Sequence, residues 1–316
     1  MRIKFILPYI LAIVNHIGKA SAASLARTLQ KYSHDFFTDI LKRDWEGELL
    51  LRYCIQRIHP LTSGWLIIDD TWLPKCFSPI SEFVSKVYSG KHKRPMWGIS
   101  VVLLLWTDGK WRIPLAIRVW VRGGKSKPEL ALEMLSTVRN KLSWTPRWVS
   151  FDCGYASAKV MKRIHAYGWV FVCAVPKSRR INGVELKRFK PQGFWTACGK
   201  AWYGQKLKFI RVKDRFYACN RLLWERKAIL DAYSSRFIIE EVFRLLKQTG
   251  GWIGCQSQSY ADFVRHLYLC LVSFLVLEAT RIHDFEGGSI YEIRQKAIYR
   301  PKIFVPPILK RLSASA

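Results

Sequence analysis

Two apolar, β-rich runs lead straight into acid. Residues 65–68 run into Asp69-Asp70-Thr71, and residues 148–151 run into Asp152. An acid that follows a buried strand lies at the strand's carboxyl end, the edge at which open sheets build their sites. Two carboxylates held together there repel one another and require a cation, and oxygen-only ligands select Mg2+ or Mn2+. Either Asp alone would serve as well as a cap or turn residue; the pair, each after a strand of one sheet, is more specific.

A third acid comes from residues 233–247, which have helical spacing. Arg236, Glu240 and Lys247 follow Tyr233 by three, seven and fourteen residues. At about 100° per residue the four fall at roughly 0°, 300°, 340° and 320°, one narrow stripe, with Arg244 beside it. Ile238, Ile239, Val242, Leu245 and Leu246 take the opposite side. Such a helix can lie on a sheet and present one acid flanked by cations and a tyrosine. A solvated i,i+4 salt-bridge face would share the pattern. Glu241 falls at about 80°, outside the stripe.

These residues need elements to position them. From Gly64 the sequence predicts a strand at 65–68, a long strand at 99–106, a tight Asp108-Gly109 turn and a strand at 113–121. A helix at 128–140, a strand at 148–151, a helix at 156–167 and a strand at 169–175 follow. Three meandering strands followed by alternating helix and strand give an α/β mixed sheet covered by helices. The order resembles the ribonuclease H-like fold up to its last helix. Residues 176–224 interrupt it as a basic, aromatic-rich β-insertion. Helical spacing returns at 225–248 and again at 261–282. The divisions expected are 1–60 helical, 61–175 first part of the core, 176–224 insertion, 225–285 final core helices and 286–316 a basic, extended tail.

The first 60 residues contain two short amphipathic pieces, 24–30 and 34–43, broken near Lys31-Tyr32-Ser33. Leu25, Leu29, Phe36, Phe37, Ile40 and Leu41 would form their seam. They suggest a DNA-binding helix-turn-helix, a pattern shared with any small helical bundle.

Composition limits the partners. Half of the 316 residues are hydrophobic, enough for a sizeable core. Lys and Arg total 52 against 23 Asp and Glu, a net charge of +29. Charge of that size points to a polyanion, nucleic acid first and an anionic membrane surface second. The eight Cys form no C-x-x-C pair and read as small buried hydrophobes of a reducing compartment. The basic, apolar start imitates a secretory signal, but Pro8 interrupts it. The apolar run 267–277 is half a membrane span. The expectation is a cytoplasmic, nucleoid-associated protein with no membrane partner. Gly123-Gly124-Lys125-Ser126 lacks the spacing of a phosphate loop and reads as a basic turn; His266 reads as a core or DNA-facing histidine.

The sequence resembles bacterial insertion-sequence transposases of the DDE type, in the group marked by Y-x2-R-x3-E-x6-K. Tyr233, Arg236, Glu240 and Lys247 match that signature in full. Asp69-Asp70-Thr71 resembles the group's first acid motif, and Asp152-Cys153-Gly154-Tyr155 its second. The resemblance covers about residues 65–280. It implies cut-and-paste transposition, with Asp69, Asp152 and Glu240 holding two Mg2+ (or Mn2+) ions about 3.5–4 Å apart across the scissile phosphate. It implies DNA contacts from Tyr233, Arg236, Arg244 and Lys247, and terminal inverted repeats, target DNA and a homodimer on paired ends as partners. Some members stack a flipped base on an insertion aromatic; Trp195 and Trp202 are candidates, the alternative being that both fill the insertion's core. Asp69 rather than Asp70, and Glu240 rather than Glu241, are the expected acids. The competing readings are another ribonuclease H-like nuclease, such as a resolvase, and an inactive DNA-binding descendant.

Overall fold

The computed structural model describes residues 3–16, 18–75, 81–89, 93–141, 144–189, 195–200, 204–285, 288–299 and 302–314. In chain order, four helices come first: α1 (Leu7–Asn15), α2 (Ala22–Leu29), α3 (His34–Lys42) and α4 (Gly47–Ile58). The sheet region then gives β1 (Trp65–Pro74), β2 (Ser85–Ser89), β3 (Arg94–Thr107), β4 (Arg112–Trp120), α5 (Lys127–Lys141), β5 (Val149–Phe151), α6 (Ala158–Ala166) and β6 (Phe171–Val175). A minor hairpin, β7 (Arg180–Ile181) and β8 (Val184–Glu185), precedes β9 (Trp195–Lys200), β10 (Lys206–Val212) and β11 (Arg215–Cys219). Five helices close the chain: α7 (Arg226–Ser234), α8 (Phe237–Gln248), α9 (Tyr260–His283), α10 (Ile290–Ile298) and α11 (Pro307–Ala314).

The result is a mixed α/β architecture. One mixed sheet runs β2-β3-β1-β5-β6-β11-β10-β9, with β4 on β3 as well. β1 pairs antiparallel with β3 and parallel with β5, and β5 pairs parallel with β6. The meander and the parallel pair therefore meet at β1. Alternation along strands assigns the two faces. Ile67 and Ser150 are in register, and the Ser150 hydroxyl donates to the Ala232 carbonyl of α7. Ile68 and Phe151 point the other way, toward the face where α5 and α6 pack.

Three expectations change. First, residues 176–224 are β-rich as read, yet β11 pairs antiparallel with β6, so the segment extends the central sheet instead of standing apart. Leu207, Phe209 and Phe216 are buried in the main core, while Ile210, Tyr217 and Cys219 join Val172 of β6 and Ile229 and Ala232 of α7 in a second cluster. Second, the basic tail is not extended. Ser289 and Glu292 form a capping box that starts α10, and Phe304, Ile308, Leu309 and Leu312 are buried. The Asn15 amide donates to the Phe304 carbonyl at 2.9 Å and its Oδ1 accepts the Phe304 N–H at 2.9 Å. Third, the apolar run 267–277 is the middle of a 24-residue helix, long and apolar enough to cross a bilayer, but 89% of its apolar window is buried within the protein.

That helix, α9, organises the helical half. It packs against α1, α3, α4, α8, α10, α11 and β4. The pair α2–α3 forms as expected, with Ser21 and Ser33 as caps, and Leu25, Phe37, Ile40 and Leu41 are buried. The described cysteines are all free thiols; Cys153 and Cys198 are exposed and the others buried, while Cys76 lies outside the described residues.

Candidate active site

β1 does not end at its acids. It continues through Asp69 and Asp70 to Pro74, paired with β3 along its whole length. What ends is its pairing with β5, whose last register is Ile68 with Phe151. Asp69 and Asp152 are each one residue beyond that pair, where the parallel pairing of β1 with β5 stops. Alternation sends Asp69 with Ile67 to the face that carries α7 and α8.

There Asp69 meets Arg236. The guanidinium Nη1 donates to Asp69 Oδ2, and Nη2 donates to Glu240 Oε1 at 2.8 Å. One cation thus bridges the first and third acids. Burial raises Asp69 to about 7; Arg236 opposes the rise and Asp152 adds to it. Burial also raises Asp152, offset by a 2.9 Å bond from the Gly154 N–H and reinforced by Asp70. Burial works against the Arg236 charge, but Asp69, Tyr233 and Glu240 outweigh it and hold its pKa up. Among the described residues no three His, Cys, Asp or Glu side chains converge closely enough to hold a metal ion. The donors are oxygen only, as Mg2+ or Mn2+ requires, but Arg236 occupies the space between two of them.

Asp70 faces the opposite side. It accepts from the Tyr155 hydroxyl at 2.9 Å, from Ser100 Oγ at 3.1 Å and from Lys127 Nζ at 2.5 Å. Burial, then the Asp70 charge, pushes the Tyr155 phenol far up, so it remains a donor.

The single helix expected over 225–248 is two. α7 ends at Ser234 and α8 begins at Phe237. The Ser234 and Ser235 hydroxyls donate to the Asp231 and Ala232 carbonyls, competing with the regular ladder. Tyr233 therefore sits on α7, with its ring edge against Tyr217 at 4.7 Å and its centroid 5.7 Å from the Arg236 guanidinium carbon. Arg236 caps α8. Glu240, Arg244 and Lys247 on α8 line an open cleft of about 460 Å3 with Asp69 and Thr71. Burial lowers Lys247.

Glu241 points elsewhere. It accepts from Arg112 at 2.9 Å, and Arg112 also pairs with the fully buried Glu278 of α9 at 2.7 Å. Trp195 is buried between Phe189 and Phe216 in the core under the insertion strands, away from the acids, which is the packing alternative. Trp202 lies outside the described residues. His266 is a core residue, bonded to the Tyr9 hydroxyl and the Gly251 carbonyl, each at 2.9 Å. Gly123–Ser126 form a turn into α5 that Glu129 caps through Ser126.

The sequence reading missed Ser100, Lys127 and Arg112. Ser100 had a signal, being the one polar residue in the otherwise apolar run 99–106. Lys127 and Arg112 had none, since their partners come from distant parts of the chain.

The family described as transposase DDE domain matches residues 62–276. No curated protein matches the chain. Among solved structures, the piggyBac transposase synaptic complex with hairpin DNA superposes with a TM-score of 0.54 at 13% identity, over 98% of this chain and 75% of that one. The Mos1 strand transfer complex covers 48% of this chain and 52% of its own at 13% identity and a TM-score of 0.20, too low to inform the fold.

Proposed function

The chain belongs to the transposase DDE domain family, and from that premise we propose that it cuts DNA at the inverted-repeat ends of a bacterial insertion sequence and joins the 3′ ends to target DNA. The strand order, with a meander and a parallel pair meeting at β1, is read here as ribonuclease H-like. Asp69, Asp152 and Glu240 would hold divalent ions, Mg2+ or Mn2+. Supporting this, the acids are oxygen donors on adjoining elements, and burial and the neighbouring Asp152 raise Asp69 against the pull of Arg236, so further positive charge there is favoured. A divalent ion bound there supplies activation of the attacking oxygen and stabilisation of the leaving one.

The remaining roles belong to the chain itself. Arg236 serves as internal counter-cation to Asp69 and Glu240 in the DNA-free protein. Its planar fork suits a phosphate as well as a carboxylate. Exchange of one for the other would free both acids as the DNA end arrives. Arg244 and Lys247, on the same cleft, neutralise neighbouring phosphates. Tyr233 backs the Arg236 guanidinium. The α2–α3 pair reads the repeat, two copies act on paired ends, and the site of action is the cytoplasmic nucleoid.

The observation that carries this reading is that Arg236 bridges Asp69 and Glu240 while Asp152, one residue past the pair of Ile68 with Phe151, is near enough to raise Asp69. Asp69→Asn, Asp152→Asn and Glu240→Gln should each abolish Mg2+-dependent nicking and strand transfer while end binding persists. Undiminished cleavage by any of the three would overturn the assignment.

A further inference from the structure

The second acid lies on a loop, and loops back away from repulsive neighbours unless held. The segment after β5 is a tight turn: Gly154 N–H bonds Asp152 Oδ1 at 2.9 Å, and the Tyr155 and Ala156 N–H groups reach the Asp152 and Cys153 carbonyls at 3.3 Å. These bonds shape the turn without attaching it to β1. Past the β1–β5 pairing, which stops at Ile68 with Phe151, the turn is held to β1 by a side chain, while Arg179 donates to the Ala156 carbonyl at 2.9 Å. Tyr155 is 1% exposed and its hydroxyl donates to Asp70 Oδ1. Asp70 is itself fixed from two further elements, by Ser100 on β3 and by Lys127 at the start of α5.

We propose that Asp70 and Tyr155 form a positioning tether that holds the Asp152 loop against β1 and so sets the separation of Asp152 from Asp69. The inference rests on Asp69 and Asp152 being the working acids. Asp70 acts from the reverse face of the strand: its neighbour Asp69 projects toward α8, while Asp70 grips the turn from behind. The adjacent acids of one strand thus divide the work, one facing the substrate side and one holding the partner acid in place. Lys127 neutralises Asp70, which lets a carboxylate sit so near two others.

Tyr155→Phe removes one hydroxyl and keeps the buried ring. In the metal-free full-length protein it should speed hydrogen exchange of the amides at 153–157 several-fold, with exchange in β1 and the melting temperature little changed. The Mg2+ concentration for half-maximal nicking of end DNA should rise about tenfold, and calorimetric Mn2+ affinity should fall in parallel, with end binding intact. Asp70→Asn should give the same profile. The double variant should be no worse than the poorer single one, because both cut one tether. Should Tyr155→Phe fail to fold, Asp70→Asn decides the matter by the same readouts. Unchanged exchange at 153–157 and an unchanged Mg2+ requirement, with Asp69→Asn inactive, would overturn the tether alone. Activity in Asp69→Asn, with Asp70→Asn dead at every Mg2+ concentration, would instead overturn the choice of first acid.

Discussion

Glu240 and Glu241 are chain neighbours about 100° apart on one helix, and their partners divide accordingly. Glu240 opens onto the cleft and shares Arg236 with Asp69, whereas Glu241 turns back to Arg112. Glu240→Gln should end nicking without lowering the melting temperature. Glu241→Gln should retain most activity and cost under about 1 kcal/mol, because its side chain is 46% exposed and Arg112 keeps Glu278. Nicking assays and thermal melts on both variants check this, and the opposite pattern would reverse the register. His266 gives a pH test of the core. Burial lowers it to about 4 from an ordinary 6.5. The unfolded ring takes up a proton below about pH 6.5 while the folded ring stays neutral to about pH 4. Its contribution is therefore intact above pH 6.5 and lost as pH falls toward 4, a change of about 3 kcal/mol. Urea melts at pH 7.5 and 5 should show about 2 kcal/mol of that loss in the wild type and a flatter response in His266→Gln.

At the level of elements, α1, α3 and α4 pack on α9 and share its core. Deleting residues 1–60 should therefore unfold or aggregate the protein, since α9 would expose Leu267, Leu271 and their neighbours to water. A truncated protein that stays monomeric and cooperative on melting would contradict that. Independent end recognition by α2–α3 is better tested by charge removal at exposed Lys31 and Arg43 than by truncation. Much of this architecture was legible in sequence. The runs 148–151 and 169–175 and the Asp108-Gly109 turn became β5, β6 and the β3–β4 hairpin, because alternation and turn chemistry are local. The placement of Asp69 and Asp152 just past the β1–β5 pair was legible for the same reason. The α7–α8 break was not, because the shift of the Arg236 N–H to the Tyr233 carbonyl is local and leaves the helical period of the sequence intact. The union of the insertion with the main sheet was also hidden: pairing of β11 with β6 joins Phe216 to Val175 across some forty residues, and periodicity says nothing about partners. The tail misled through its prolines and charges, although Pro307 only begins α11.

For the molecule as a whole, a net charge of +29 predicts strongly salt-dependent binding if DNA is the partner proposed above. With about 6–10 phosphates neutralised, affinity for DNA should fall roughly 10³–10⁵-fold between 50 and 200 mM salt. Fluorescence anisotropy with end DNA across that range measures it, and a flat response would remove electrostatics as the main source of affinity. The position of α9 in the chain has a consequence of another kind, in the order of synthesis. The four leading helices are complete by Ile58, but the surface they rest on is not finished until His283. At about 5–20 residues per second a ribosome needs roughly 10–45 s to cover that interval. During it α1, α3 and α4 lack the helix they pack on, and the sheet that forms meanwhile lacks the helix that ties Arg112 through Glu278. A chain halted before α9 should therefore leave apolar faces of α1, α3 and α4 uncovered, which binding of a hydrophobic dye to stalled chains would show.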